Sequence, residues 1–270
     1  YGIFEDCPSL KTICIPNQLQ SIPTRMFCQS VLLTNVYWGD NPSCNYIGKY
    51  AFHGNNQLTN FHIPSSVSVI DEGILKECDY VTEITIGAGS RLKFIGEGAF
   101  GNSDVNSSDG IKQLSKIVLP NSIRTIKKYA FYNSMCCIWD TIDTFVLPSS
   151  LEYLDYAIIW GYNSSTQNPK IDKLYIPNSI TKLPGPRKHN GYKDSGLDDG
   201  NIVRCTNIKD LYLPQHLNPF DSTNFSNFSF EGVTIHYYHF VNFTDNHLTS
   251  ISHTSEYHAE IGEGVTEVGD

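Results

Sequence analysis

Residues 58–78 read LTNFHIPSSVSVIDEGILKEC, with apolar side chains at Leu58, Phe61, Ile63, Val67, Ile70, Ile74 and Leu75. Pro64 follows the alternating run and Cys78 closes the unit. The pattern restarts as VTEITIG at Val81. Its opening recurs as LKTICIP at Leu10, LSKIVLP at Leu114, IDTFVLP at Ile142, IDKLYIP at Ile171 and IKDLYLP at Ile208. Self-similarity at a period of about 20–30 residues is the signature of a solenoid, in which only a neighbouring unit can bury a unit's apolar face. A length of 270 residues would otherwise suggest one or two globular domains. The repeat replaces that count with a single solenoid over 1–270, predicted as a right-handed β/α superhelix with one short parallel strand per repeat of about 23–30 residues.

Within a unit, L-x-x-I-x-I alternates apolar and polar residues and is rich in β-branched types, so it reads as a strand. The proline after it has no N–H to donate and ends the strand. P-x-S-V-x-x-I then turns and supplies a second apolar contact pair. Next comes a small-plus-aromatic pair, Ala51–Phe52, Ala99–Phe100 or Ala130–Phe131, with Met26–Phe27 and Ile74–Leu75 in the same slot elsewhere. These pairs are expected to anchor a short helical or 3₁₀ turn on the core.

Units open at Leu10, Val31, Leu58, Val81, Leu114, Ile142, Ile171 and Ile208, weakly near Phe230 (FEGVTIH), and partially around AEIGEGVTEV. The second is degenerate, with an insertion across YWGDNPSC before Ile47, and the fourth replaces the proline by Gly87 with two extra residues. Roughly ten rungs at about 4.8 Å give a rod or shallow arc on the order of 45 Å long. Insertions at 101–113, 133–141, 160–170 and 184–204 all precede the next strand, which puts them on one flank, often the partner-binding side of a solenoid. Residues 215–258 are irregular, degenerate repeats rich in aromatic side chains. The chain starts (YGIFEDC) and stops (IGEGVTEVGD) inside a repeat, so it reads as an excerpt of a longer array.

Hydrophobic residues make up 40% of the chain, and no apolar run approaches the ~18 residues of a membrane span. A formal charge of −9 with few, scattered basic residues argues against a nucleic-acid partner. Cys7, Cys28, Cys78 and Cys205 each lie three residues before a unit's opening apolar residue, and Asn55 holds the same slot. A position that accepts Cys or Asn reads as a tight buried turn, where a free thiol acts as a small hydrophobe. Cys14, Cys44, Cys136 and Cys137 lie off the pattern. A loop disulfide of Cys44 with Cys136 or Cys137 stays open, because connectivity is not readable from sequence.

The unit L-x-x-I-x-I-P-x-S-V-x-x-I-x-x-x-A-F-x-x-C resembles the BspA-like branch of leucine-rich repeat proteins over most of residues 4–235 and again at 259–269. The proline after the strand and the Ala-Phe pair separate it from branches built on asparagine ladders. The resemblance implies a strand-lined solenoid of surface-exposed or secreted proteins of anaerobic bacteria and mucosal protists. Some members of that branch adhere to host matrix proteins or to other cells.

Positions three and five of each strand are predicted to point inward and positions two and four outward. Position four runs Cys14, His62, Thr85, Val118, Val146, Tyr175 and Tyr212. Its last four members, Val118, Val146, Tyr175 and Tyr212, form a candidate ligand-binding stripe, since interfaces favour aromatic side chains. The competing explanation is that β-propensity and cross-strand stacking place Val and Tyr there. Position two (Thr12, Asn60, Glu83, Lys116, Thr144, Lys173, Asp210) is an ordinary solvated row. His236-x-x-His239 with a third His or Glu256 offers zinc-type ligands, but an i, i+3 pair on a strand points to opposite faces. Neither H-E-x-x-H nor G-x-S-x-G occurs, and buried thiols are inert, so no catalytic residue, metal or cofactor is assigned. Asn106, Asn163, Asn224, Asn227 and Asn242 each head an N-x-[ST] triplet, a glycan acceptor only in a eukaryotic secreted protein.

The expected function is a non-catalytic extracellular or cell-surface module that binds a protein or glycan of host matrix or another cell, without membrane insertion in this fragment. The alternatives are a structural spacer and a metal-binding His-rich segment near the C-terminus.

Overall fold

In the computed structural model the described residues are 2–101, 111, 114, 116–132, 144–155, 159–160, 173–181, 209–217, 233–238, 240–244, 247–252 and 259–261. Each L-x-x-I-x-I run is a strand on one side of the solenoid, at Thr12–Ile15, Asn35–Trp38, Asn60–Ile63, Glu83–Ile86, Lys116–Ile117, Thr144–Val146, Lys173–Tyr175, Asp210–Pro214 and Val233–Tyr238; this first sheet is built in three hydrogen-bonded sections, broken after Trp38 and after Ile117. Hydrogen-bonded neighbours among them run parallel and in register, such as Asn60↔Glu83, Phe61↔Ile84, His62↔Thr85 and Ile63↔Ile86. Asn60 and His62 are exposed while Phe61 and Ile63 are buried, as the alternation requires.

The solenoid class holds, but the turn carries two strands rather than one. P-x-S-V-x-x-I ends in a two-residue strand, and Ser21–Ile22, Tyr46–Ile47, Val69–Ile70, Phe94–Ile95, Thr125–Ile126 and Tyr153–Leu154 form one parallel six-stranded sheet. Two residues are too few to show a period of two, so this sheet leaves no periodic trace in the sequence.

On the third side the expected helical turn is replaced by tight turns; no helix occurs among the described residues. Each pair is entered through a residue in the left-handed region, Arg25 (φ 57°), Tyr50 (φ 56°), Gly73 (φ 57°), Gly98 (φ 55°) or Tyr129 (φ 60°), and the first three are left through Gln29 (φ 58°), Gly54 (φ 74°) and Glu77 (φ 59°). Alternate N–H groups in between bond to the neighbouring turn, while those between them close short turns within their own, as Met26 N to Pro23 O and Ala51 N to Gly48 O. Phe27 N donates to Ala51 O (2.9 Å), Phe52 N to Ile74 O (3.0 Å) and Leu75 N to Ala99 O (3.1 Å). Groups committed between turns are not available to a helix within one.

The side chains of that corner stack along the axis. Phe4 and Phe27 lie 5.5 Å apart at 8°, Phe27 and Phe52 5.3 Å apart at 21°, and Phe100 and Phe131 5.4 Å apart at 32°. Three residues beyond Phe27, Phe52 and Leu75 stands a buried donor, whereas Cys7, three beyond Phe4, is only half-buried. Ser30 Oγ donates to Phe4 O (2.9 Å), Asn55 Nδ2 to Phe27 O (2.9 Å), and Cys78 Sγ to Phe52 O (3.1 Å). The slot therefore selects a hydrogen-bond donor for the previous turn's carbonyl, not merely a small side chain. Cys28 is not in it: the second unit opens at Leu33, not Val31, because Asn35 pairs with Thr12. Val31 and Leu32 are 41% and 43% exposed, and Leu33 is fully buried.

Val233–Tyr238 pairs parallel with Asp210–Pro214, but its other neighbour, Ala259–Ile261, runs antiparallel. A further parallel rung was expected there; the rest of 259–269 lies outside the described residues. Within 215–258, Phe240–Thr244 and His247–Ser252 form an antiparallel hairpin with a register shift at Asn242/Phe243.

Replacing Asn55 by Val removes the donor to the Phe27 carbonyl and is expected to cost about 1–3 kcal/mol, read by urea unfolding, with Asn55→Ser recovering part of the loss. Phe52→Ala, which leaves a void between Phe27 and Phe61, should cost about 3–5 kcal/mol in the same experiment.

Candidate binding face

Position four forms a column on the outer face of each section of the first sheet. Register carries it from Cys14 to Tyr37 and from His62 to Thr85, and then from Val146 through Tyr175 and Tyr212 to His236. Val118 continues it beyond Ile117, the partner of Ile84. Tyr37 (56% exposed) and Val118 (52%) are the large apolar side chains of its N-terminal half. Tyr37 was missed in the sequence because its unit was read two residues out of phase. Trp38 Nε1 donates to His62 O (2.9 Å), tying Asn35–Trp38 to Asn60–Ile63 where no ladder joins them. His62 Nδ1 lies 2.8 Å from Thr85 Oγ1.

The C-terminal half of the column is a stack. The rings of Tyr175 and Tyr212 are 4.1 Å apart at 14°, and those of Tyr212 and His236 4.5 Å apart at 13°. His236 Nε2 sits 2.7 Å from Asp210 Oδ1, fixing the last ring. Of the four stripe residues, Val118 is exposed, Tyr212 half-buried and Tyr175 only 3% exposed. The side chain of Val146 lies outside the described residues. Tyr175 and Tyr212 therefore hold the sheet together through their ring faces, and the accessible part of the stripe is at Val118.

Beside Val118 the first sheet opens into a groove of about 490 Å³, lined among others by Glu83, Thr85, Gly89, Val118, Asn121 and Ser122. Its origin is local. Gly87 N donates to Ile63 O (2.9 Å), as Gly39 N does to Ile15 O (3.0 Å). Pro120 holds that slot in the next turn and has no N–H, so the ladder between Glu83–Ile86 and Lys116–Ile117 stops at Ile84↔Ile117. The two extra residues at Gly87–Ser90 widen the gap.

Tight turns bring together one constellation that no sequence motif announces. Cys28 Sγ lies 3.5 Å from His53 Nδ1, and His53 Nε2 lies 3.1 Å from Glu77 Oε2. Thiol, imidazole and carboxylate are thus in line across three turns. Cys28 is fully buried, and burial pushes its thiol up to about 11. A protonated, inaccessible sulfur is not a nucleophile. Cys44 is buried with a free thiol, as is Cys78, which burial pushes up to about 12. Among the described residues no group of His, Cys, Asp and Glu has the arrangement of a metal site. His239, His253, His258 and Glu256 of the candidate zinc site lie outside the described residues, as does most of each flank insertion and the side chain of Asn242.

One alternating strand, a proline or glycine break, a two-residue second strand and a stacked corner per turn define a parallel β-solenoid of the leucine-rich repeat class. The BspA-type leucine-rich repeat region matches in six copies across residues 1–117 and 106–185, and the chain belongs to that family. Three solved structures match at low identity and low structural superposition. The pneumococcal vaccine antigen PcpA is 14% identical, with 84% of this chain and 74% of that one covered and a TM-score of 0.31. A leucine-rich cell surface protein from Faecalibacterium prausnitzii is 14% identical, covered at 84% and 79%, TM-score 0.27. A leucine-rich repeat protein from Bacteroides ovatus is 19% identical, covered at 87% and 56%, TM-score 0.37. No curated protein matches the sequence.

Raised thiol pKa values leave almost no thiolate at pH 8, so Cys28 and Cys78 should resist alkylation in the folded protein while exposed Cys14 reacts. Mass spectrometry after timed iodoacetamide treatment checks this; labelling of all three at one rate would contradict it. Tyr212→Ala, which removes two ring contacts, is expected to cost about 1–3 kcal/mol of unfolding free energy.

Proposed function

We propose that this leucine-rich repeat array is a non-catalytic extracellular or cell-surface module that binds a protein or glycan on host matrix or a neighbouring cell. Contact is made by the outer face of the first sheet around Val118. The observation that carries the reading is the exposed Val118 side chain beside an open groove, next to the section Asn60–Ile63, Glu83–Ile86 and Lys116–Ile117, whose strands are hydrogen-bonded in register. A rigid scaffold of that kind presents its side chains at low conformational cost. The family's surface-exposed and secreted members support a location outside the cell. The buried state of Cys28 supports a role without catalysis.

Surface binding of the chain to a panel of matrix proteins and glycans tests the reading. Saturable binding that Val118→Asp weakens about tenfold or more, with an unchanged melting temperature, is the expected result. A flat response across the panel would favour a spacer that holds other domains at a distance. Binding that is indifferent to Val118→Asp would move the contact to another face.

A further inference from the structure

The second sheet carries a side-chain row with a period of its own. In register across its six strands stand Ser21, Tyr46, Val69, Phe94, Thr125 and Tyr153, each followed by a buried Ile or Leu and so facing outward. The aromatic members occupy every second turn, with smaller side chains between them. At about 4.8 Å per rung, Tyr46, Phe94 and Tyr153 are spaced roughly 9.6 Å apart along the axis.

Two of the three rings are held by neighbours. Tyr46 Oη donates to Asp71 Oδ2, and Lys127 Nζ stands 4.4 Å from the centre of the Tyr153 ring, which stays 42% exposed. The residue before each member of the row is polar: Gln20, Asn45, Ser68, Lys93, Arg124 and Glu152 make a rim of donors and acceptors. The charges alongside cancel. Lys93, Arg124 and Lys127 are matched in number by Asp71, Glu152 and Asp155; Arg124 pairs with Glu152, and Lys127 Nζ stands 4.0 Å from Asp155 Oδ2.

We propose that this face binds an uncharged, extended β-1,4-linked polysaccharide laid along the solenoid axis. Successive rings of such a chain are turned over, so the same apolar C–H face recurs once per disaccharide, close to the two-turn spacing of the aromatic side chains. The hydroxyls at the ring edges meet the polar rim. An extended peptide fits less well, since its same-face side chains repeat at about 6.8 Å. A charged polymer would find no net countercharge, whereas a neutral one leaves the ion pairs intact. Rings fixed before binding keep the ordering cost low.

Calorimetry of the chain with cellohexaose and chitohexaose, against their disaccharides, tests the proposal. Tighter binding of a hexaose than of its disaccharide, insensitive to a tenfold rise in salt, is expected, because only the longer ligand spans the row. Phe94→Thr and Tyr153→Thr put into those positions the residue type already at Thr125, and each should weaken binding about tenfold. Phe94→Tyr should retain it, so a general folding defect is distinguishable. Val118→Asp, on the other sheet, should leave oligosaccharide affinity unchanged, which separates this site from the first-sheet face. Absence of saturable binding to either hexaose, equal affinity for hexaose and disaccharide, or full affinity in the Phe94→Thr/Tyr153→Thr double variant would overturn it.

Discussion

Three successive corners of this solenoid bury the carbonyl of the residue whose side chain stacks on the turn before, and in each the next turn supplies the donor. Ser30, Asn55 and Cys78 do so with three different functional groups. An orphaned carbonyl at that depth costs as much as several favourable contacts return. The constraint fixes the distance between turns, which in turn sets the ring separations of Phe4, Phe27 and Phe52 and the register of both sheets. Asn55 illustrates how one-sided the requirement is: its Nδ2 serves both Phe27 O and Phe52 O, while its Oδ1 is buried without a partner.

The two outer faces answer different needs because of how the sheets are built. The first sheet has longer strands and interruptions, one of which, at Pro120, opens the groove next to Val118. The second sheet has the shortest strands and no interruption across six turns, so its outward side chains form a straight row. Ion pairs cluster near that second sheet and the third side, as in Lys49–Glu72, Arg25–Glu5 and Lys128–Glu97. Each joins successive turns. Surface pairs of this kind contribute little individually, and their main effect is to leave these sides near neutral.

Legibility of the fold followed the length of each element. Four-residue strands show two full alternations, so the units at Leu10, Leu58 and Val81 could be placed to the residue. The run Val31-Leu32-Leu33 has three apolar residues and no alternation, so only pairing with Thr12–Ile15 shows which one is buried. The corner slot was recognised by its position but misread in kind, because Cys and Asn share smallness as well as donor capacity, and Ser30 shows that donation decides. At the candidate site, outward direction was correct for Val118. For Tyr175 direction did not give accessibility, since a ring stacked on its neighbours is buried on a face that points out. Cys28 and His53 are 25 residues apart and belong to no motif; only the stacking of turns brings them within 3.5 Å.

The alternation of large and small side chains on the second sheet also bears on how such an array can lengthen. A lineage that duplicates one turn inserts a ring beside a ring, or a small residue beside a small one, and shifts everything beyond it by half a period. Duplicating two turns together leaves the phase untouched. The hydrogen bonds and core of this solenoid would accept either event, because each turn touches only its neighbours. Its outer surface would distinguish them, making the pair of turns, rather than the single turn, the heritable module of that face.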